Sequence, residues 1–201
     1  MIQAVVFDLG GVLFSEGKSV ALEKLATVNG YERMLVGAIL SSPKSILLRK
    51  GLLSDGDFWQ WAQQQLPPGY DSRLIQQEWY NGYTLDKDVY QLIASLRKKY
   101  SIIAFSGNIK SRVAFLEEKF RFRHLFNVGV YSFDFHMTKP DPELAQVMIE
   151  KSGVRPEEIV YIDDNDSYAT PARELGLKVL IYKRGEIVRL RQELKHQGLV
   201  F

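Results

Sequence analysis

The chain opens with a short apolar run, Ala-Val-Val-Phe at residues 4–7, that has no polar alternation and ends at Asp8, with Gly10-Gly11 close behind. Such a run predicts a strand buried on both faces, as in a parallel sheet. The period then changes. Residues 19–28 and 32–40 carry apolar positions at three- and four-residue spacing, which predicts amphipathic helices. Pro43 opens a short helix through Leu48, and Gly51 ends it. Ser54 followed by Asp57 is a capping pattern for a helix through Leu66. Pro67-Pro68-Gly69 breaks the chain, and Asp71 caps a further helix to about Tyr80. No segment from 15 to about 83 reads as a strand, so this stretch is a helical insertion.

Beyond the insertion, residues 86–100 place Val89, Leu92, Ile93 and Leu96 on one helical face. Strands at 101–105, 127–131, 159–162 and 178–182 then alternate with helices at 109–120, 141–152, 168–175 and 186–196. Alternation of this kind predicts an α/β fold: a Rossmann-like parallel sheet of about five strands, right-handed crossovers and helices on both faces. The domain reading is a core of residues 1–14 and 84–201, interrupted by the helical segment 15–83.

Composition narrows the function classes. The 201 residues are 46% hydrophobic and 25% charged, an ordinary globular balance. A net charge of +2 gives no footprint for nucleic acid or a membrane surface, and Arg121-Phe122-Arg123-His124 is too short to make one. With no cysteine, disulfides, thiolate catalysis and cysteine-ligated zinc are excluded. The start lacks a basic segment ahead of an apolar one, and no apolar stretch approaches the roughly 20 residues of a membrane span. The expectation is a soluble, cytoplasmic protein.

Four predicted strand ends carry polar groups. Asp8 ends the first strand and Ser106-Gly107-Asn108 the second; Thr138-Lys139-Pro140 follows the third, and Asp163-Asp164 ends the fourth. Parallel strands put these ends on one edge, and if the strand order reverses beside the first strand the carboxylates converge. Crowded carboxylates repel one another, and a hard cation with oxygen ligands, such as magnesium, removes the conflict. Lys139 offers a cation to an anionic substrate, while Ser106 and the Gly107 N–H near a helix start suit phosphate oxygens. The set describes phosphoryl transfer to a carboxylate. Taken singly, these residues have plainer readings: helix caps for the aspartates, a turn for 106–108, a solvated surface lysine for Lys139. Their joint placement favours the site. His136 reads as structural or solvated, His124 and His196 as surface, and Trp59, Trp61, Trp79 and Tyr80 as the core of the insertion.

Val6-Phe7-Asp8-Leu9-Gly10-Gly11-Val12-Leu13, Ser106-Gly107-Asn108, Lys139-Pro140-Asp141-Pro142 and Tyr161-Ile162-Asp163-Asp164 resemble, in order and spacing, the four motifs of the haloacid dehalogenase-like hydrolases. A helical cap between the first two motifs is that family's usual arrangement, and 15–83 would be the cap domain. The nearest group resembles small bacterial sugar-phosphate phosphatases, such as glucose-1-phosphate phosphatase. The resemblance implies a magnesium-dependent phosphomonoester hydrolase of a small phosphorylated metabolite, a sugar phosphate among them. It implies Asp8 as nucleophile, forming an aspartyl-phosphate, and as a Mg2+ ligand. The carbonyl of Gly10 and Asp164 would be further ligands, with Asp163 beside them or exchanging roles. Ser106, Gly107 and Asn108 would hold the phosphoryl group, and Lys139 would neutralise nucleophile and phosphate. Two alternatives stay open: a catalytically weak member that binds a phosphorylated ligand or a protein partner, and a 2-haloacid dehalogenase, against which the Asp163-Asp164 pair argues. Monomer and homodimer are both open.

Two residues depart from the family pattern. Most of its phosphatases carry Asp two residues after the nucleophile as general acid and base, where this chain has Gly10; acid–base catalysis is typically worth about 10²–10⁴-fold. A positive φ at Gly10 would oppose any side chain there. Glu16 and His136, just beyond the motif loops, are the first substitutes for the missing acid. Tyr168 stands where many relatives carry Asn, which leaves the hydrogen bonding around Lys139 or the metal open.

Overall fold

In a computed structural model describing Met1–Phe201, five strands pair in parallel: β1 (Ala4–Phe7), β2 (Ser101–Ser106), β3 (Val128–Tyr131), β4 (Ile159–Asp163) and β5 (Lys178–Ile181). Their order is β3-β2-β1-β4-β5, so the direction of winding reverses at β1. Phe7 lies opposite Ala104 on one side and Ile162 on the other. The next amide, Asp8 N–H, donates to the Ile162 carbonyl at 2.9 Å. This is the crevice in which open α/β sheets bind ligands.

β1 is buried along its whole length because both faces are covered. Val5 and Phe7 belong to the larger apolar cluster, which runs on into the insertion. Ala4 and Val6 face the smaller cluster on the other side. The insertion holds α1 (Gly17–Asn29), α2 (Arg33–Leu40), α3 (Pro43–Arg49), α4 (Asp55–Gln65) and α5 (Ser72–Asn81), and α6 (Lys87–Leu96) follows it. Ser42, Ser54, Asp71 and Asp86 each cap a helix by accepting a backbone N–H. The chain enters and leaves the insertion side by side. Ser15 N–H donates to the Thr84 carbonyl at 2.9 Å, Thr84 N–H donates to Ser15 Oγ at 2.8 Å, and the Ser15 hydroxyl donates to the Gly82 carbonyl at 2.6 Å.

The remaining helices are α7 (Lys110–Phe120), α8 (Ser132–Phe135), α9 (Pro142–Ser152), α10 (Asp166–Glu174) and α11 (Ile187–His196). α9 and α10 line the smaller cluster through Leu144, Met148, Ala169 and Ala172, while α7 and α11 line the larger one through Val113, Leu116, Leu190 and Leu194. Three elements differ from the sequence pattern. α10 starts ahead of the expected residue 168, because Asn165 caps it by accepting Ser167 N–H at 3.0 Å. α6 stops at Leu96 rather than 100. α8 spans four residues, too few to show a period. No helix is long and apolar enough to cross a membrane.

Candidate active site

Asp8, Lys139 and Asp163 meet in a buried cluster at the strand ends. Asp8 and Asp163 arrive there because β1 and β4 are neighbours in register. Lys139 comes from the loop after α8, which is pinned by Asp141: its N–H donates to the Thr138 carbonyl at 2.7 Å, and its Oδ2 accepts Thr138 N–H at 3.0 Å. Lys139 Nζ then donates to Asp8 Oδ1 at 2.7 Å, Asp163 Oδ2 at 2.8 Å and Tyr161 OH at 3.0 Å. An ammonium group has three N–H donors, and all three are in use. The Tyr161 phenol donates onward to Asp163 Oδ2, and Asn165 N–H donates to Asp163 Oδ1 at 2.8 Å.

Asp164 is more open to solvent and lies against the Gly10-Gly11 backbone. A Cβ on Gly11 would sit 2.0 Å from Asp164 Oδ2, and Gly11 has φ +84, so only glycine fits there. Carboxylate oxygens of Asp8, Asp163 and Asp164 all lie within 4.8 Å of one another.

The charges do not balance. Burial pushes Asp8 up to about 7; Lys139 opposes this, while Asp163 and Asp164 add to it. Burial and the charge of Asp163 push Asp164 up to about 6. For Asp163, burial works toward protonation, but the Lys139 charge and the hydrogen bonds from Lys139, Tyr161 and Asn165 prevail and hold it below the usual range. Burial likewise works against the Lys139 ammonium, and the charges of Asp163 and Asp8 overcome it. Three carboxylates thus crowd together beside one buried cation, which is bonded to two of them. Their oxygen-only donor set and excess negative charge fit a hard divalent cation such as magnesium.

Ser106 and Asn108 are buried at the end of β2, beside this cluster in the sheet order. Gly107 is faced by two hydroxyls: a Cβ on it would meet Thr138 Oγ1 at 3.5 Å and Ser132 Oγ at 3.7 Å. Ser132 Oγ is buried and has no hydrogen-bond partner. Asn108 Oδ1 accepts Ile109 N–H at 3.0 Å and also the Arg112 Nε–H.

The expected substitutes for the missing acid lie elsewhere. Glu16 caps α1, accepting Ser19 N–H at 2.7 Å. His136 Nδ1 lies 2.9 Å from the Lys50 carbonyl, facing the insertion. The left-handed backbone that would have opposed a side chain at position 10 falls on Gly11 instead. What borders Gly10 is an aromatic ring: a Cβ there would meet Tyr83 Cε1 at 3.5 Å. Tyr168 is exposed, and Tyr161 is the tyrosine bonded to Lys139. Tyr161, Tyr83 and Arg112 are site residues that the sequence pattern did not single out. Tyr161 shares the period-two face of β4 with Asp163, and Arg112 takes a helix position shared with apolar Ile109, Val113 and Leu116; those out-of-pattern polar groups were the available signals.

Residues 2–176 match the haloacid dehalogenase-like hydrolases. The chain belongs to that family. An uncharacterised protein of Dictyostelium discoideum is 37% identical over 218 aligned positions, covering 94% of each chain. Among solved haloacid dehalogenase-like structures, a Bacteroides thetaiotaomicron family enzyme in complex with magnesium and inorganic phosphate superposes with a TM-score of 0.74 at 24% identity, over 92% of this chain and 96% of that one. L-2-haloacid dehalogenase from Xanthobacter autotrophicus superposes with a TM-score of 0.68 at 22% identity, over 98% of this chain and 83% of that one. At these identities the likeness establishes the haloacid dehalogenase-like fold alone. The choice between chemistries rests on this chain's side chains.

Proposed function

We propose that this haloacid dehalogenase-like hydrolase is a magnesium-dependent phosphomonoester hydrolase of a small phosphorylated metabolite. The observation that carries the reading is the clustering of Asp8, Asp163 and Asp164, whose carboxylate oxygens lie within 4.8 Å of one another while Lys139 is bonded to only the first two. A dehalogenase needs a carboxylate nucleophile but no third carboxylate to hold a cation. In this reading Asp8, Asp164 and the Gly10 carbonyl hold Mg2+, with Asp163 beside them, and residues 15–83 form a cap domain over a core of 1–14 and 84–201. The bound ion supplies positive charge against the phosphoryl oxygens and the aspartates.

The chain's own groups carry the steps. Lys139, 2.7 Å from Asp8 Oδ1, orients that carboxylate and favours its ionised form. Asp8 attacks phosphorus, the bond from phosphorus to the leaving oxygen breaks, and its electron pair departs with that oxygen. Water then attacks the aspartyl-phosphate, which releases phosphate and restores Asp8. Ser106, the Gly107 N–H and Asn108 bind the phosphoryl oxygens through these steps. Position 10 offers no acid, so aryl, acyl and anomeric sugar phosphates are the favoured substrates. The resemblance to glucose-1-phosphate phosphatase agrees with the anomeric class.

The test is phosphate release from a metabolite panel with and without Mg2+, in the wild type and Asp8→Asn. Mg2+-dependent turnover lost in Asp8→Asn supports the reading, and no turnover of any member removes it. Gly10 favours a second reading, a binder with vestigial chemistry, which tight calorimetric binding without hydrolysis would establish. Halide release insensitive to chelator would instead mark a dehalogenase.

A further inference from the structure

Arg112 is buried completely, a second buried cation besides Lys139. It stands in the first turn of α7, just past the 106–108 loop, and its Nε–H donates to Asn108 Oδ1. Its guanidinium carbon lies 4.2 Å from the Trp79 ring centroid and 4.6 Å from that of Tyr83. At those distances the rings cover the guanidinium and leave its N–H edge to be satisfied. That edge is not satisfied: Nη1 and Nη2 are buried and meet no acceptor. Burial lowers the group to about 10, so its charge is carried at a cost.

A second arginine points to the same place. Arg49, the last residue of α3, lies 5.8 Å from the Trp79 centroid, and its Nη1 donates to the Gly107 carbonyl at 3.1 Å. Both guanidinium groups are therefore tied to the loop assigned above to the phosphoryl group. Tyr83 touches Arg112 and also borders Gly10, two residues beyond Asp8. Two arginines without a carboxylate partner, at the seam between insertion and core, form an arrangement that an anion completes.

We propose that Arg112, assisted by Arg49, is a subsite for a second anionic group of the substrate, a carboxylate, and that the preferred substrates are phosphorylated acids. The proposal rests on the phosphatase reading and deepens it. A guanidinium fork takes carboxylate and phosphate alike, and the planar carboxylate is the smaller of the two, which favours it where two aromatic rings already cover the group.

The experiment compares kcat/KM within two matched pairs: glucuronic acid 1-phosphate against glucose 1-phosphate, and 3-phosphoglycerate against glycerol 3-phosphate. The wild type is expected to prefer the carboxylated member of at least one pair by about tenfold or more, the worth of a charge-assisted hydrogen bond. Arg112→Gln and Arg49→Gln should each lower that ratio. No preference in either pair overturns the proposal, as does a preference that both variants retain. Greater activity on fructose 1,6-bisphosphate than on either acid would replace the carboxylate with a second phosphate. Arg112→Met gives a readout that a merely structural arginine would not. It removes an unpaired buried charge, so the free protein should melt higher while the preference falls; a lower Tm with the preference intact marks Arg112 as structural. Binding separates this proposal from the catalytic one. In Asp8→Asn with Mg2+, 3-phosphoglycerate should raise Tm more than glycerol 3-phosphate does, and adding Arg112→Gln should abolish the difference. An equal shift from both ligands overturns the subsite, whether or not p-nitrophenyl phosphate is hydrolysed by the wild type.

Discussion

The phenol oxygen of Tyr161 lies 3.0 Å from Lys139 Nζ and donates its own hydrogen to Asp163. It thereby fixes the distance between the buried cation and one of its two carboxylates. Tyr161→Phe leaves one Lys139 N–H unmet in a buried cluster, which typically costs about 1–3 kcal/mol. If half of that appears in the transition state, kcat/KM falls by roughly 2–13-fold. Steady-state kinetics on p-nitrophenyl phosphate measures it. A positioning role also predicts a changed pH profile, because Lys139 and Asp163 lose a shared partner.

The acidic cluster makes the metal-free protein pH-sensitive. Asp8 titrates near 3.8 when unperturbed and near 7 in the folded chain. The folded protein therefore holds an extra proton between those values. Its contribution to stability is complete below the unfolded value and disappears as pH rises through the folded one. Asp164, raised to about 6, acts in the same direction. Asp163, held low, acts in the opposite direction, its contribution being lost only as pH falls below the ordinary carboxylate range. Without metal, Tm should drop from about pH 4 to about pH 7. Asp8→Asn should gain on the wild type over the same interval, and Mg2+ should raise wild-type Tm more at the upper end. Thermal melts with and without chelator check all three.

Adding the missing acid is a two-residue problem. The Tyr83 ring sits 3.5 Å from where a Gly10 Cβ would be, an ordinary contact, so a carboxyl carried beyond that Cβ has to share the space with the ring. Gly10→Asp alone should help little. Gly10→Asp with Tyr83→Ala should speed alkyl phosphates more than aryl ones, by up to about 10²-fold at the low end of the acid–base range. The comparison is kcat/KM for glycerol 3-phosphate against p-nitrophenyl phosphate. Equal gains on both would show that proton donation was not the missing element.

Gly82→Ala probes the seam between insertion and core. Its Cβ would stand 2.4 Å from the Gly17 carbonyl oxygen, a backbone atom that cannot rotate away. Forced shifts of this kind cost about 1–3 kcal/mol, which is roughly 2–12 °C in Tm for a chain of this size. Differential scanning calorimetry measures the loss.

The strand that carries Asp8 was legible because its apolar run stops at the carboxylate, and the alternation of strands and helices implied a parallel sheet, while the place of β4 beside β1 hung on a reversal of strand order that the structure supplies. Asp8 and the Asp163-Asp164 pair could thus be placed on one sheet edge from sequence, and side by side only on that condition. Arg112 could not, because it occupies an apolar register of α7, and its aromatic neighbours Trp79 and Tyr83 come from the far side of the insertion. The helical spacing of Trp79 assigns it to the core of the insertion, and there it is fully buried. The pattern could not show that it also covers a charge. Tyr83 lay at the expected edge of the insertion, where periodicity gives out, so its approach to Gly10 appears only once the two chain crossings are seen together. Glu16 and His136 show the reverse error: nearness in sequence to a motif loop did not bring either to the acids, because one side chain was taken up by a helix start and the other by the Lys50 carbonyl.

Ser15 and Thr84 hold those crossings together like one pin of a door hinge, and Asp86 N–H, donating to the Leu13 carbonyl at 2.8 Å, is another. The leaf carries Arg49, Trp79 and Tyr83; the frame carries Arg112, Asn108 and Asp8. Were the insertion to part from the core about that seam, Arg112 would stand in water with its charge solvated, and shutting again would strip that water and return nothing to the N–H edge. On the proposed subsite, a substrate that brings its own carboxylate would supply what shutting removes, so closure would be favoured over an acid and opposed over a neutral ester.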